Sequence, residues 1–405
     1  MKQTVHNKWL GPVNAHWLRP KIGTLGTNVS NKNTGMQEKN LLTLSYGNIK
    51  RKDINTSEGL LPASFESYQI VEPGDIVFRF TDLQNDHKSL RSALVRERGI
   101  ITSAYINFRP NPQQVHSLYF SYLMRALDLR KAFYQMGSGV RQSLKFEELA
   151  MVSIPLPSLE IQHAIANYLN RETHEIDAIL DKLDDLGRLL EDRKKSEIRE
   201  FATPKNGNFT QMKYLAQVSL GKTVQNKKIL KEDQLTPYVR AANIQPHGLV
   251  LDDQKMYMNS DELIKYDIIS NDVLVVEGGA GFGRSVTIES PMIGWGFQNH
   301  VIRLRPNKGI SGKFLDYTVK SHLWGGLLDI LSDGATIPAI SSEKVRELPV
   351  LAITSQQQHK IVTYLDETTT RINTMLAKIS ELKSLLTERR GALITAAVTG
   401  HIEVH

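Results

Sequence analysis

The 405-residue chain contains no cysteine. Disulfide frameworks, thiolate zinc sites and cysteine nucleophiles are therefore excluded from its chemistry. No run approaches the roughly eighteen apolar residues that a membrane helix needs. The start, Met1 to Lys8, is not followed by an apolar signal core. The expectation is a cytoplasmic location with no membrane partner. Catalytic signatures are missing as well. There is no Asn-Pro-Pro-Tyr and no His-Glu-x-x-His. Gly278-Gly-Ala-Gly281-Phe-Gly283-Arg284 lacks the spacing of a dinucleotide fingerprint and reads as a tight loop between strands. Gly221-Lys222-Thr223 lacks the preceding glycine of a phosphate-binding loop, and Asp192-Arg-Lys194 falls on a helical stretch. The chain is thus expected to be no enzyme, with no metal and no cofactor of its own.

What is present is a repeat. His163-Ala-Ile-Ala-Asn-Tyr168-Leu169 returns as His359-Lys-Ile-Val-Thr-Tyr364-Leu365, about 196 residues on. Phe108-Arg-Pro-Asn111 returns as Leu304-Arg-Pro-Asn307, and Gly74-Asp-Ile-Val-Phe78 as Asn271-Asp-Val-Leu-Val275. Ordered matches along a whole half mark a duplication rather than chance. Four segments follow: a globular region over 1–157, a helix over 158–205, a second globular region over 206–353, and a helix and tail over 354–405. Four tryptophans and 12 phenylalanines suffice for two cores.

Both globular regions read as α+β. Asp75–Phe80 and Asp272–Val276 are short apolar strands entered from turns, followed by strands over 100–108 and 300–304 that end at an Arg-Pro-Asn. A helix then runs over about 118–136 and about 312–331. The later helices carry heptad stripes: Leu169, Glu172, Ile176, Ile179, Leu183, Leu186, Leu190 and Arg193 in one, Leu365, Thr368, Ile372, Met375, Ile379, Leu382, Leu386, Arg389, Leu393 and Ala396 in the other. Two such stripes bury each other most simply as an antiparallel pair. A helix of roughly 40 residues is about 60 Å long, more than one DNA turn of roughly 35 Å. The two regions are then expected at opposite ends of this rod.

Fifty Lys and Arg against 43 Asp and Glu give a formal charge of +7, which is compatible with a polyanion. The polar loops differ most between the copies. The first carries Tyr46, Asn48, Lys50, Arg51, Lys52, Arg79, Lys88 and Arg91; the second carries Lys222, Lys227, Arg240, Asn243, Gln245, His247 and Arg284. Arg, Asn and Gln can pair with base edges, and Lys and Arg can neutralise phosphates. Each is also an ordinary surface residue, and a protein-binding scaffold with duplicated domains is the alternative reading. His163 and His359 recur near helix starts, where they suggest a cap or a packing contact.

The order of parts resembles the specificity subunits of type I restriction–modification systems, the HsdS family. The phrases that carry the resemblance are Val71-Glu-Pro-Gly-Asp-Ile-Val-Phe-Arg79, Thr81-Asp-Leu-Gln-Asn85, Ile154-Pro-Leu-Pro157, Glu160 to Leu169 and its echo Gln356 to Leu365, and Glu388 to Gly400. The resemblance implies a non-catalytic reader of double-stranded DNA. Two target-recognition domains would each read half of a bipartite site, with the helices fixing the spacer. It also implies two modification subunits, which carry S-adenosylmethionine and methylate adenine, and restriction subunits, which use ATP and magnesium. Val350-Leu-Ala-Ile353 departs from the Pro-x-Pro of the first copy.

Overall fold

The computed structural model describes residues 4–55, 64–83, 90–136, 143–203, 206–332 and 337–404. The chain forms two units, Met1–Leu183 with Glu381–His405, and Asp184–Ser380. The first unit contains β1 (Gly26–Asn28), the hairpin of β2 (Leu42–Ser45) and β3 (Asn48–Arg51), β4 (Ile76–Phe78), β5 (Ser92–Leu94), β6 (Ile106–Pro110) and α1 (Ser117–Leu129). Helix α2 (Leu159–Ala202) starts there and ends in the second unit. The second unit contains β7 (Ala216–Leu220), the hairpin of β8 (Ile244–Gln245) and β9 (Gly248–Leu249), β10 (Val273–Val276), β11 (Ser285–Thr287), β12 (Val301–Pro306) and α3 (Gly312–Trp324). Helix α4 (Ser355–Val398) starts in that unit, and its last turns belong to the first.

Each unit builds the same antiparallel sheet. The strand order is β1-β6-β4-β5 in one and β7-β12-β10-β11 in the other. Even the register repeats: Phe108 faces Ile76 and Leu304 faces Val273. The central strands β4 and β10 are buried throughout because both faces are covered, which explains their unbroken apolar runs. In the first core Phe108 stacks on Phe120, and Leu169 of α2 is fully buried. In the second, Leu304, Leu315 and Leu365 occupy the corresponding places.

The frame is locked by repeated polar contacts. Buried Asp75 accepts from its own turn at Glu72 N and from Arg109 at 2.7 Å. Buried Asp272 does the same with Ile269 N and Arg305 at 2.9 Å. Gln162 accepts from His116 N and donates to Pro157 O, while Gln358 accepts from Ser311 N and donates to Ile353 O. These pairs tie the start of each long helix to its own domain.

Chain entry and exit also meet in both copies. Phe209–Gln211 pairs with Pro349–Leu351 as a continuous ladder. In the first copy only single bridges form, Leu18 to Leu156 and Lys21 to Ser153. The ladder is interrupted at Pro20, which accepts from Ile154 N but has no N–H to return.

Three expectations need correction. The helix over 118–136 breaks into Ser117–Leu129 and Ala132–Met136, and its counterpart breaks into Gly312–Trp324 and Leu327–Leu331. Lys131 (φ 59°) and Gly326 (φ 80°) turn left-handed at matching points.

The helix seam is the second correction. Burial follows Leu169, Thr173, Ile176, Leu180, Leu183, Gly187 and Leu190, and in α4 Leu365, Thr368, Ile372, Leu376, Ile379, Lys383 and Leu386. Every second seam position lies one residue beyond the expected one, except Thr368, which is buried as expected with Thr369 half-buried beside it. Ile179, Leu186, Met375 and Leu382 are 43, 45, 42 and 43% exposed. The phase is set by Thr173 and Thr369. Their hydroxyls donate to Leu169 O and Leu365 O at 2.7 Å and meet the hydroxyls of Tyr122 and Tyr317 at 3.1 and 3.3 Å. Within each unit the two helices run antiparallel. Arg390 pairs with Asp177 at 3.0 Å in the first, and Tyr364 donates to Glu197 at 2.8 Å in the second.

The third correction concerns the candidate site residues Arg91, Lys222 and Asn243, which are buried and are treated with the site.

Candidate nucleic-acid interface

Each unit presents a short hairpin among its candidate residues, and the two tips differ. In the first, β2 and β3 are joined by Tyr46-Gly47, both left-handed at φ 46° and 76°. That geometry matches the twist of a two-residue hairpin. Glycine adopts it freely, whereas a tyrosine there carries backbone strain of roughly 1–2 kcal/mol. Tyr46 is nonetheless 71% exposed, so its ring gains nothing from the core in return. Asn48, Lys50 and Arg51 are exposed along β3, and Lys52 is half-buried beyond them. Arg51 is engaged by Glu97.

The hairpin is anchored by a residue that sequence reading passed over. Arg125 of α1 donates to Gly47 O and to Ser92 O. A side chain at Gly47 would collide with this guanidinium, which gives the glycine a second role. Burial pushes the pKa of Arg125 down, opposed by the charges of Asp128 and Asp177. Its only signal in the sequence is a cation at an inward position of an otherwise apolar helix.

Arg91 does not face solvent. It is fully buried, donates to Tyr134 OH at 3.1 Å and to Thr81 O and Asp82 O at 3.4 Å, and lies 5.3 Å from the Tyr134 ring centroid. Its backbone N–H also donates to Asp128. Burial pushes the Asp128 carboxyl up to about 6, against the lowering effect of that N–H and of Arg125. Arg91 therefore organises the core behind β5 and leaves the interface set. Arg79 is half-buried on the edge of the same region, and Lys88 lies outside the described residues.

In the second unit, β8 and β9 turn at Pro246-His247 with Gly248 at φ 127°. His247 is exposed at this tip, and Gln245 is half-buried with its amide on Ala242 O. Asn243 is buried: it accepts from Arg240 N and donates to Val250 O, both at 2.8 Å, so it shapes the hairpin base. Arg240 is held by Asp252 at 2.6 Å. Lys222 is buried against Glu262 and Gln225, away from any phosphate. Lys227 is exposed and Arg284 half-buried. The glycine-rich loop before Arg284 packs on the chain, with Gly279 N donating to Pro338 O at 3.1 Å.

The tips thus gather Tyr46, Asn48 and Lys50 in one unit, and Gln245 and His247 in the other. Among the described residues no His, Asp or Glu cluster could hold a metal ion, and no helix is long and apolar enough to cross a membrane. His116 and His163 stack at 4.1 Å, a packing contact at the start of α2.

These features define a duplicated α+β protein in which each domain leads into a long helix. Residues 93–200 match the model of the type I restriction modification DNA specificity domain. A chain from a structure of the assembly and conformational transition of the type I R-M system is 15% identical, with a TM-score of 0.66 over 96% of this chain and 99% of that one. The HsdS subunit from Thermoanaerobacter tengcongensis is 13% identical, with a TM-score of 0.53 over 96% and 98%. At these identities the likeness is one of fold. No curated relative matches the sequence. The chain is thus similar to the type I restriction–modification specificity subunits, in one matched domain over residues 93–200 and in fold along its whole length.

Proposed function

We propose that this chain is the non-catalytic, DNA-reading subunit of a cytoplasmic type I restriction–modification complex, with a bipartite target. The observation that carries the reading is the contrast between frame and tip. The sheet order, the Asp–Arg locks and the Gln locks repeat, while the hairpin turns differ: Tyr46-Gly47 precedes Asn48-Ile49, and Pro246-His247 follows the matching Asn243-Ile244. One frame with two different tips suits two readers of two different short sequences. The paired helices hold the unread spacer at a set length. Linking two weak readers raises the effective concentration of the second and makes a selective whole. Two modification subunits then supply S-adenosylmethionine and methylate adenine, which requires the base to leave the stack. Restriction subunits supply ATP- and magnesium-dependent translocation and cleavage.

The test is duplex binding by the chain together with its modification subunit across a salt series. Affinity should fall steeply with salt on any duplex, and a target-bearing duplex should bind roughly a thousandfold or more tighter than a scrambled one. Equal affinity for target and scrambled duplexes contradicts the proposal.

A further inference from the structure

Because the copies share a register, their charges can be compared position by position where the first long turns of α2 and α4 meet α1 and α3. In the second unit the charges balance internally. Lys313 lies 3.0 Å from Asp366 and 3.4 Å from Glu289. Lys320 pairs with Asp316 at 2.7 Å, and Lys194 with Glu191 at 2.8 Å. Tyr317 donates to Asp366 at 2.6 Å.

The first unit has Leu118 at the place of Lys313, keeps cations at the other two places and loses these carboxylates. Ser121 stands at the place of Asp316, Asn170 at that of Asp366, and Arg96 at that of Glu289. Arg125 replaces Lys320, and Arg390 matches Lys194. Three arginines line the cavity with one carboxylate, Asp177, which Arg390 already engages at 3.0 Å, while the charge of Asp128 acts on Arg125 from behind. These side chains line a cavity of about 200 Å³, closed on one side by the hairpin turn at Gly47 to Ile49. Arg125 meets only the neutral carbonyls of Gly47 and Ser92, and its buried Nε has no hydrogen-bond partner among the described residues. Ser285 donates to Asp316 in the second unit; its counterpart Ser92 has a buried hydroxyl with no partner among the described residues.

We propose that this cavity binds a free phosphate-sized oxyanion, which supplies the negative charge that Asp316, Asp366 and Glu289 supply in the other copy. Guanidinium forks match the oxygens of such an ion in pairs. The bound ion braces the β2–β3 hairpin against α1 through Arg125. This site stands independently of the DNA-reading proposal, since it rests on charge and cavity alone.

The experiment is calorimetric titration of the full chain with inorganic phosphate, at constant ionic strength in chloride. One saturable site is expected. Asn170→Asp and Ser121→Asp, which restore the carboxylates of the second copy, should abolish it. Arg96→Gln, at an exposed side chain, should weaken it without disturbing the fold. The proposal fails if the unaltered chain shows no saturable binding, or if Asn170→Asp binds phosphate as tightly as the parent. It also fails if a short duplex displaces the phosphate, an outcome that hands the cavity to the DNA backbone.

Discussion

Tyr46 is where the proposed role of the first domain meets a cost in stability. A left-handed tyrosine with an exposed ring weakens the hairpin unless the ring meets something outside the chain. Tyr46→Gly should therefore stabilise the protein by roughly 1 kcal/mol in thermal unfolding. The same change should weaken target binding by roughly tenfold, about the cost of one mismatched base pair. Stability and binding moving together would remove Tyr46 from the interface. Asp128 gives a second test. Its carboxyl is raised from 3.8 to about 6 in the fold, so the folded state holds a proton that the unfolded chain has released. That stability is fully present below about pH 4 and is lost as pH rises through about 6. Asp128→Asn should remove a decline on the order of 3 kcal/mol across this window, read by denaturant unfolding. At this scale the sequence was only half legible. The exposed tips Tyr46, Asn48, Lys50 and His247 sit in turns that their local sequence announces. Arg91, Lys222 and Asn243 look the same in sequence, and their burial depends on Asp128, Glu262 and Val250, partners 37, 40 and 7 residues away.

The long helices and central strands were legible as elements because their apolar periods are local. The phase of the helix seam was not. Ile179 and Leu180 are both apolar, as are Met375 and Leu376, and Leu186 and Leu382 favour the expected phase over Gly187 and Lys383. Thr173 and Thr369 decide it through contacts with α1 and α3 that no helix-internal pattern contains. Leu180→Lys and Leu376→Lys should lower the unfolding midpoint clearly, whereas Ile179→Lys and Met375→Lys should leave it nearly unchanged. The reverse order would restore the other phase. In the sheets, Arg109→Ala strips the partner from Asp75, which is 1% exposed, and Arg305→Ala does the same to fully buried Asp272. Each should cost about 3–5 kcal/mol by denaturant unfolding, because an uncompensated carboxylate stays buried.

For the whole molecule, duplication was the most legible feature, and it carries the functional account. Two copies of one sheet order and one set of polar locks hold hairpins that differ, and the charge of +7 on the whole chain is compatible with a polyanion. If the helices set the spacer, removing one heptad from both at matching points shortens each by about 10 Å, the length of about three base pairs. Target preference should move to a shorter spacer, or binding should be lost; an unchanged spacer would separate the helices from the ruler role. The central claim is tested most directly by selecting duplexes from a randomised library with the full chain and its modification subunit. The account predicts two short, different sequence blocks separated by an unread spacer of one length. A single contiguous block, a spacer of variable length or no enrichment would contradict it.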